Sequence, residues 1–305
     1  MLKNSRQTLK TAHSHRDISL REISYPLESI PLLGSRTAEA LRLLGITDIK
    51  GFVSLTEREI LKVADELKRV SEKLALDRHI HQRLLMAYRY AKAIVLRRPL
   101  IYGKCNTLDL LEKLIKERKV MLLDLQYDPS ISFIFIIGIM NTEGRTTQFF
   151  IETLEEEKEA LITIKDVLAR NMLVTYAGKS ADIPTIRKSY SKHGLYPPKL
   201  SLIDLFYDVI FTQKPERQAI YLPLTDLSEK TVASYLGYSY PKELKIRDGL
   251  QALLVFHRYK HERNPRLRNQ IREQLLLYNR CDLEMIKIVL QKLLDIYKIG
   301  EKYES

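Results

Sequence analysis

Three β-strand patterns in close succession constrain the fold of this chain more than any other feature of its sequence. Residues 119–126, 131–140 and 145–151 are runs of β-branched and aromatic side chains, and such runs favour strands. Residues 128–130 and 141–144, which separate the runs, contain the proline, glycine, aspartate and asparagine typical of turns. The sequence therefore predicts three successive strands.

Helices and strands alternate in the rest of the chain. The pattern predicts a helix over 153–169, a strand over 172–176, a helix that begins near Ala181, a strand over 200–205 and a long amphipathic helix over 265–299. Before the strands, residues 25–100 have helical spacing with short breaks. The whole pattern predicts an α/β domain that follows a small all-α domain.

Composition divides the chain further. Residues 1–24 are polar and basic with almost no apolar periodicity, and we interpret them as a mobile arm. Residues 25–100 form the predicted helical domain, residues 101–118 a helical connection, and residues 119–305 the predicted α/β domain.

The charge distribution indicates a polyanionic partner. The net charge is +12, and residues 1–100 hold 19 lysines and arginines against 11 acidic residues. A basic excess in one module is the electrostatic pattern of nucleic-acid binding; a basic but merely soluble surface is the alternative.

Other features exclude whole classes of protein. The longest apolar run, 131–140, is too short for a membrane span, and no secretory signal is visible. Two cysteines cannot build a disulfide framework or a zinc site alone. We therefore expect a soluble, cytoplasmic protein.

The segment 30–46 resembles a helix-hairpin-helix motif, in which backbone N–H groups at a helix start hold a DNA phosphate. The resemblance predicts nucleic-acid contacts from Gly34, Ser35, Arg36 and Thr37. Leu32 stands where such families usually have glycine.

Three aspartates lie where metal chemistry would need them. Asp124 lies inside a buried strand pattern, Asp182 follows the strand over 172–176, and Asp282 is four residues after Tyr278, on the same helix face. A buried carboxylate needs a partner or a metal. Three oxygen donors from separate segments predict a magnesium or manganese site, and two such ions can cleave a phosphodiester.

These residues and the order of elements resemble the ribonuclease-H-like four-carboxylate (DEDD) 3′–5′ exonucleases with a tyrosine-type third motif, Tyr278-x-x-x-Asp282. The second motif appears as residues 176–182, an Asp-Leu-Phe element as residues 204–206, and a leucine-rich return as residues 224–237. The resemblance implies a mixed sheet flanked by helices. In an active enzyme it also implies that Asp124, Asp182 and Asp282 hold Mg²⁺ or Mn²⁺ and that Tyr278 orients the attacking water.

The chain departs from that family at chemical positions. Gln126 replaces a metal-ligating glutamate, on the same strand face as Asp124. Ala177 and Ala181 replace an asparagine and a phenylalanine of the second motif, in which Lys179 is a further predicted nucleic-acid contact. Asp128 is an alternative source of the missing carboxylate if the strand continues past residue 126, which Pro129 disfavours.

The sequence thus predicts a nucleic-acid-binding protein, for DNA rather than RNA, on a nuclease scaffold with impaired or lost catalysis. One alternative is an active two-metal exonuclease. Another is a subunit that docks a protein partner in DNA repair or processing.

Overall fold

The computed structural model describes residues 25–71, 74, 76–212 and 217–304. The predicted arm, residues 1–24, lies outside these residues, and its structure stays a prediction. In the part of the chain that the structure describes, no helix is long and apolar enough to cross a membrane.

Within the described residues, the N-terminal region is built mainly from α-helices. They are α1 (Ser35–Leu43), α2 (Ile49–Val53), α3 (Glu57–Val70) and α4 (Ile80–Leu96). Their ends follow from local sequence. Gly45, with φ of +81°, ends the turn after α1; the Asp48 carboxylate accepts the Gly51 N–H at 2.8 Å; and Thr56 and Glu59 form a capping box at the start of α3.

The centre of the second region is a five-stranded mixed sheet with strand order β4-β3-β2-β5-β6. The strands are β2 (Val120–Asp128), β3 (Phe133–Asn141), β4 (Thr146–Phe150), β5 (Met172–Thr175) and β6 (Ser201–Asp204). β2, β3 and β4 pair antiparallel, whereas β2, β5 and β6 pair parallel. The predicted α/β class, a mixed sheet flanked by helices after a helical region, is confirmed.

Helices surround this sheet. They are α5 (Asn106–Lys116), α6 (Leu154–Arg170), α7 (Asp182–Lys192), α8 (Glu229–Tyr235), α9 (Gly249–His261) and α10 (Pro265–Glu304), together with a π-helical turn (Phe206–Ile210). The long helix α10 packs against β2, β3 and β4. It therefore brings residues near the C-terminus of the chain to the centre of the sheet.

A two-stranded ribbon joins the two regions, and the sequence did not predict it. β1 (Leu100–Ile101) pairs antiparallel with β7 (Ile220–Tyr221). Two residues are too few for an alternating pattern to be recognised. Tyr90 on α4 packs edge-on against Tyr221, with ring centroids 5.0 Å apart, and its hydroxyl donates to the Ile210 carbonyl. The helical region is thus packed directly against the region that contains the sheet.

Candidate functional site

A cavity of about 470 Å³ lies beside the middle of β2 and the carboxyl end of β5. Its lining includes most of the residues that the sequence singles out, namely Asp124, Gln126, Ala177, Ala181, Asp182, Tyr278 and Asp282. We call it the carboxylate cavity. The structure therefore brings the three predicted aspartates and the tyrosine together, although they come from β2, α7 and α10.

A fourth acid, Glu229, lines the same cavity. It is the first residue of α8, and sequence analysis missed it because a glutamate in the first turn of a helix is ordinary. In the described part of the chain, Glu229 Oε1 and Asp282 Oδ1 are both buried without a hydrogen-bond partner. The cavity thus contains carboxylate oxygens that no protein group satisfies.

The Gln126 side chain connects two of the aspartates. Its Nε2 donates to Asp124 Oδ2 at 2.9 Å and to Asp282 Oδ2 at 3.1 Å. Gln126 is almost fully buried. In this orientation the amide nitrogen, rather than the amide oxygen, faces the two carboxyl groups. The amide nitrogen therefore occupies the point between the two carboxylates.

A second amide completes the hydrogen bonds of Asp124. Asn279 on α10 is fully buried, and its Nδ2 donates to the same Asp124 Oδ2 at 2.6 Å. Gly138 on β3 lies opposite Asp124 in the sheet. A Cβ at residue 138 would be 2.2 Å from Asn279 Oδ1. A glycine is therefore required there for α10 to approach closely enough to deliver this amide.

Burial raises the pKa of the acids in the carboxylate cavity. It raises the pKa of Asp124 to about 7, although the hydrogen bonds from Gln126 and Asn279 oppose the increase. Burial also raises the pKa of Asp182, Asp282 and Glu229 well above the ordinary range, and the neighbouring carboxylates raise it further. Like charges in a poorly hydrated pocket disfavour ionisation of every member.

The raised pKa of Asp124 predicts that the stability of the fold decreases as the pH rises. The raised pKa of Asp124 keeps its proton in the folded state to about pH 7, whereas the unfolded chain loses it near pH 4. This stabilisation is complete below about pH 4 and is lost as the pH rises from about 4 to about 7, by on the order of 4 kcal/mol. Denaturant melts between pH 5 and pH 8 measure it. Asp124→Asn should flatten the profile, and an unchanged slope in this variant would contradict the assignment.

The cavity residues do not fit a two-metal centre. A divalent ion needs several ionised oxygen ligands directed at one point. Among the residues that the structure describes, no group of three or more His, Cys, Asp and Glu side chains is arranged to hold a metal. The position between Asp124 and Asp282 is filled by N–H donors from Gln126. The four acids therefore share a cavity without forming a common coordination sphere.

Asp128 does not supply the missing carboxylate. β2 does continue to Asp128, contrary to the expectation from Pro129, but its register shifts between Gln126 and Tyr127. The Asp128 carboxylate instead accepts the Ser130 N–H at 2.9 Å and lies 3.0 Å from His257 Nε2. The Asp128 carboxylate is thus occupied by Ser130 and His257, and Asp128 does not line the carboxylate cavity.

The loop after β5 is held by a buried aspartate, Asp204, the first residue of the Asp-Leu-Phe element. Its carboxylate accepts the N–H groups of Ala177 at 2.9 Å and Lys179 at 2.8 Å. The Lys179 ammonium is bound to Asp208. Lys179 lies outside the carboxylate cavity but next to Ser180, which lines it. The loop therefore presents a cation at the edge of the site.

Ala177 adopts a strained backbone conformation, with φ of +57°. Asparagine tolerates this left-handed region better than alanine does, and valine tolerates it worse. We expect Ala177→Asn to raise the free energy of unfolding by about 0.5–1 kcal/mol and Ala177→Val to lower it by about 1 kcal/mol or more. Urea denaturation measures both. If the two variants are equally stable, the backbone conformation does not explain why the family's second motif has asparagine at this position.

The predicted hairpin residues lie apart from the carboxylate cavity. Gly34, Ser35 and Arg36 are exposed at the start of α1, whereas Thr37 is buried, with Arg83 Nη2 3.4 Å from its hydroxyl. Leu32 has φ of +73°, which explains why a glycine suits this position. The role of these residues in binding stays a prediction.

Two further cavities connect this hairpin to the carboxylate cavity. The first contains Leu32 and Gly34 and shares Pro31 and Thr225 with the second. The second shares Tyr176, Ala177 and Glu229 with the carboxylate cavity. Phe206 and Phe211, stacked with ring centroids 5.3 Å apart, line this middle cavity. The three cavities are therefore neighbours along one side of the molecule's described part, and we call them together the central groove.

Comparison with known proteins agrees with this architecture. The family model RNase_H_2, described as RNase_H superfamily, matches residues 123–294, which is more than half of the chain and includes β2 through most of α10. Neither the curated proteins nor the solved structures contain a significant match. The matched segment contains Asp124, Asp182 and Asp282. This chain belongs to the RNase H superfamily.

Proposed function

We propose that this protein binds nucleic acid on its RNase-H-like scaffold and that its phosphodiesterase activity is impaired or lost. One observation carries the proposal. The Gln126 amide donates hydrogen bonds to both Asp124 and Asp282 at the point where a catalytic cation would have to bind. A neutral donor there partners one oxygen of each of these two carboxylates without a metal, and it lacks the oxygen charge that attracts Mg²⁺.

Within the superfamily, we propose that the scaffold belongs to the tyrosine-type branch of the four-carboxylate exonucleases. Asp124, Asp182, Tyr278 and Asp282 line one cavity, and their order along the chain matches that branch. This arrangement supports the subtype. The substitution at residue 126 therefore affects a site that otherwise retains the acidic residues of a nuclease.

The central groove supports nucleic acid as the ligand. It runs from the proposed helix-hairpin-helix segment to the carboxylate cavity, and stacked aromatic rings line its middle. Bases stack readily on aromatic side chains, and phosphates are attracted to free N–H groups at helix starts. DNA is the proposed ligand because helix-hairpin-helix segments hold DNA phosphates. Residues 1–100 carry an excess of positive charge, which attracts the negative phosphates of a nucleic acid.

An active metal-dependent phosphodiesterase is the second candidate function, and Glu229 is the observation that favours it. With Glu229, four carboxylate side chains line the cavity, the number that the four-carboxylate nucleases have. Its unpartnered Oε1, together with Asp282 Oδ1, offers oxygen atoms to a cation. Such an enzyme would use Mg²⁺ or Mn²⁺, and Gln126 would have to turn away from the two aspartates.

A binding and cleavage assay separates the two functions. Purified full-length protein is mixed with labelled single- and double-stranded DNA and RNA, with Mg²⁺, Mn²⁺ or a chelator. The proposal predicts salt-sensitive binding, with no metal-dependent turnover. Turnover that Asp124→Ala and Asp282→Ala abolish, and that the exposed-site control Asp166→Ala retains, would overturn the loss of catalysis and support the second candidate.

A further inference from the structure

A separate cavity of about 490 Å³ lies beside the carboxylate cavity on the side of the β5 loop. Its lining includes Lys179, Ser180, Tyr207, Asp208 and Arg217. Ser180 lines both cavities. The two cavities are therefore adjacent.

Among the described residues that line this cavity, Arg217 is the cation that no ion pair occupies. Lys179 is neutralised by its ion pair with Asp208, whose other carboxylate oxygen accepts the Asp204 N–H at 2.8 Å. Arg217 is exposed, and no carboxylate among the described residues lies within ion-pair distance of it. The guanidinium presents several donors in a planar fork, which suits a phosphate group.

Hydroxyl groups line the same cavity as Arg217. Thr107 and Tyr207 are among its lining residues, and each carries an O–H that can donate to a phosphate oxygen. The Ser180 and Lys179 positions are fixed, because Asp204 accepts the Lys179 N–H and the Ser180 hydroxyl donates to the Ala177 carbonyl at 2.8 Å. Donors on a fixed loop lose little entropy when they bind.

We propose that this cavity binds a phosphate group, and that its physiological source is a backbone phosphate of the strand that enters the carboxylate cavity. The inference rests on the proposed function and deepens it. In this arrangement the phosphate lies beside Arg217, and the adjoining nucleotide lies in the carboxylate cavity. The acids of the carboxylate cavity would repel a phosphate when they are ionised. The charge of the guanidinium favours an anionic phosphate oxygen as its acceptor.

The test measures binding of a single-stranded oligonucleotide of about 12 nucleotides, a length within the site sizes of single-strand binders, by fluorescence anisotropy across a salt series. We expect Arg217→Ala to weaken the affinity about tenfold at low salt. We also expect it to reduce the slope of log K against log salt by about 0.7, the change for one lost phosphate contact on a single strand. Arg217→Lys, which keeps the charge, should retain most of the slope.

The matched control is Arg170→Ala, which removes an exposed arginine at the end of α6, and which should change affinity less than about twofold. An Arg217→Ala variant that behaves like this control would overturn the phosphate site alone. Absence of oligonucleotide binding by the wild-type protein would overturn the proposed function. A second arm titrates inorganic phosphate. Binding that Arg217→Ala removes, without oligonucleotide binding, would assign the site to free phosphate and overturn the backbone source.

Discussion

Replacing Gln126 with glutamate should convert the carboxylate cavity from a metal-independent site into a metal-dependent one. In the absence of divalent ions, Gln126→Glu removes two N–H donations and adds a third acid between Asp124 and Asp282. We expect a loss of stability of about 3–5 kcal/mol, because buried carboxylates are left without a partner. Added Mn²⁺ should restore much of the lost stability, because a cation then takes the place of the amide.

Thermal melts with chelator, Mg²⁺ and Mn²⁺ measure this prediction. The wild-type melting temperature should be nearly the same in all three conditions. Gln251→Glu is the matched control, because Gln251 is exposed and uses Oε1 to accept the Arg247 N–H, a role that a carboxylate retains. A wild-type protein that Mn²⁺ stabilises as strongly as it stabilises Gln126→Glu would show that the amide does not take the place of a metal.

Gly138→Ala should be strongly destabilising, although it adds one methyl group to a strand. The new Cβ would lie 2.2 Å from Asn279 Oδ1. Asn279 is held on both sides, because Nδ2 donates to Asp124 and Oδ1 accepts from Gln148 at 2.7 Å. Relief of the clash requires α10 to move or these buried hydrogen bonds to break, and we expect a loss of about 3 kcal/mol or more.

Equilibrium denaturation measures this effect, and two further variants interpret it. Gly249→Ala at the first residue of α9 should be neutral or stabilising, because nothing lies within 4 Å of its added Cβ. The double variant Gly138→Ala, Asn279→Ala should lose less than the sum of the two single losses, since removal of the amide makes room for the methyl group. Additive losses would argue against the proposed contact.

Much of the fold could be predicted because its signals are local. The three strands after residue 119 are long β-branched runs bounded by turns, and α3 begins at a capping box that four consecutive residues specify. The ribbon of β1 and β7 could not be predicted, because its two-residue strands pair only through the packing of Tyr90 and Tyr221. The register shift after Gln126 is likewise set by its partner strand β3.

The candidate site likewise contains residues that the sequence could predict and residues that it could not. Asp124, Asp182 and Asp282 stand out because each is an acid in an apolar or motif-like context. Glu229 has no such context, and only the tertiary fold brings α8 to the cavity. One feature of the sequence could have indicated the contact that Asn279 makes. Gly138 interrupts an apolar strand, and a glycine inside a strand often marks the close approach of another element.

The direct test of the central claim is a crystal structure of the wild-type protein soaked in Mn²⁺, with anomalous scattering recorded near the manganese edge. The account predicts no anomalous peak among Asp124, Asp182 and Asp282, and a Gln126 Nε2 that remains within hydrogen-bond distance of Asp124 and Asp282. A manganese ion bound by two or more of these carboxylates, with the Gln126 amide turned away or offering its oxygen, would contradict it.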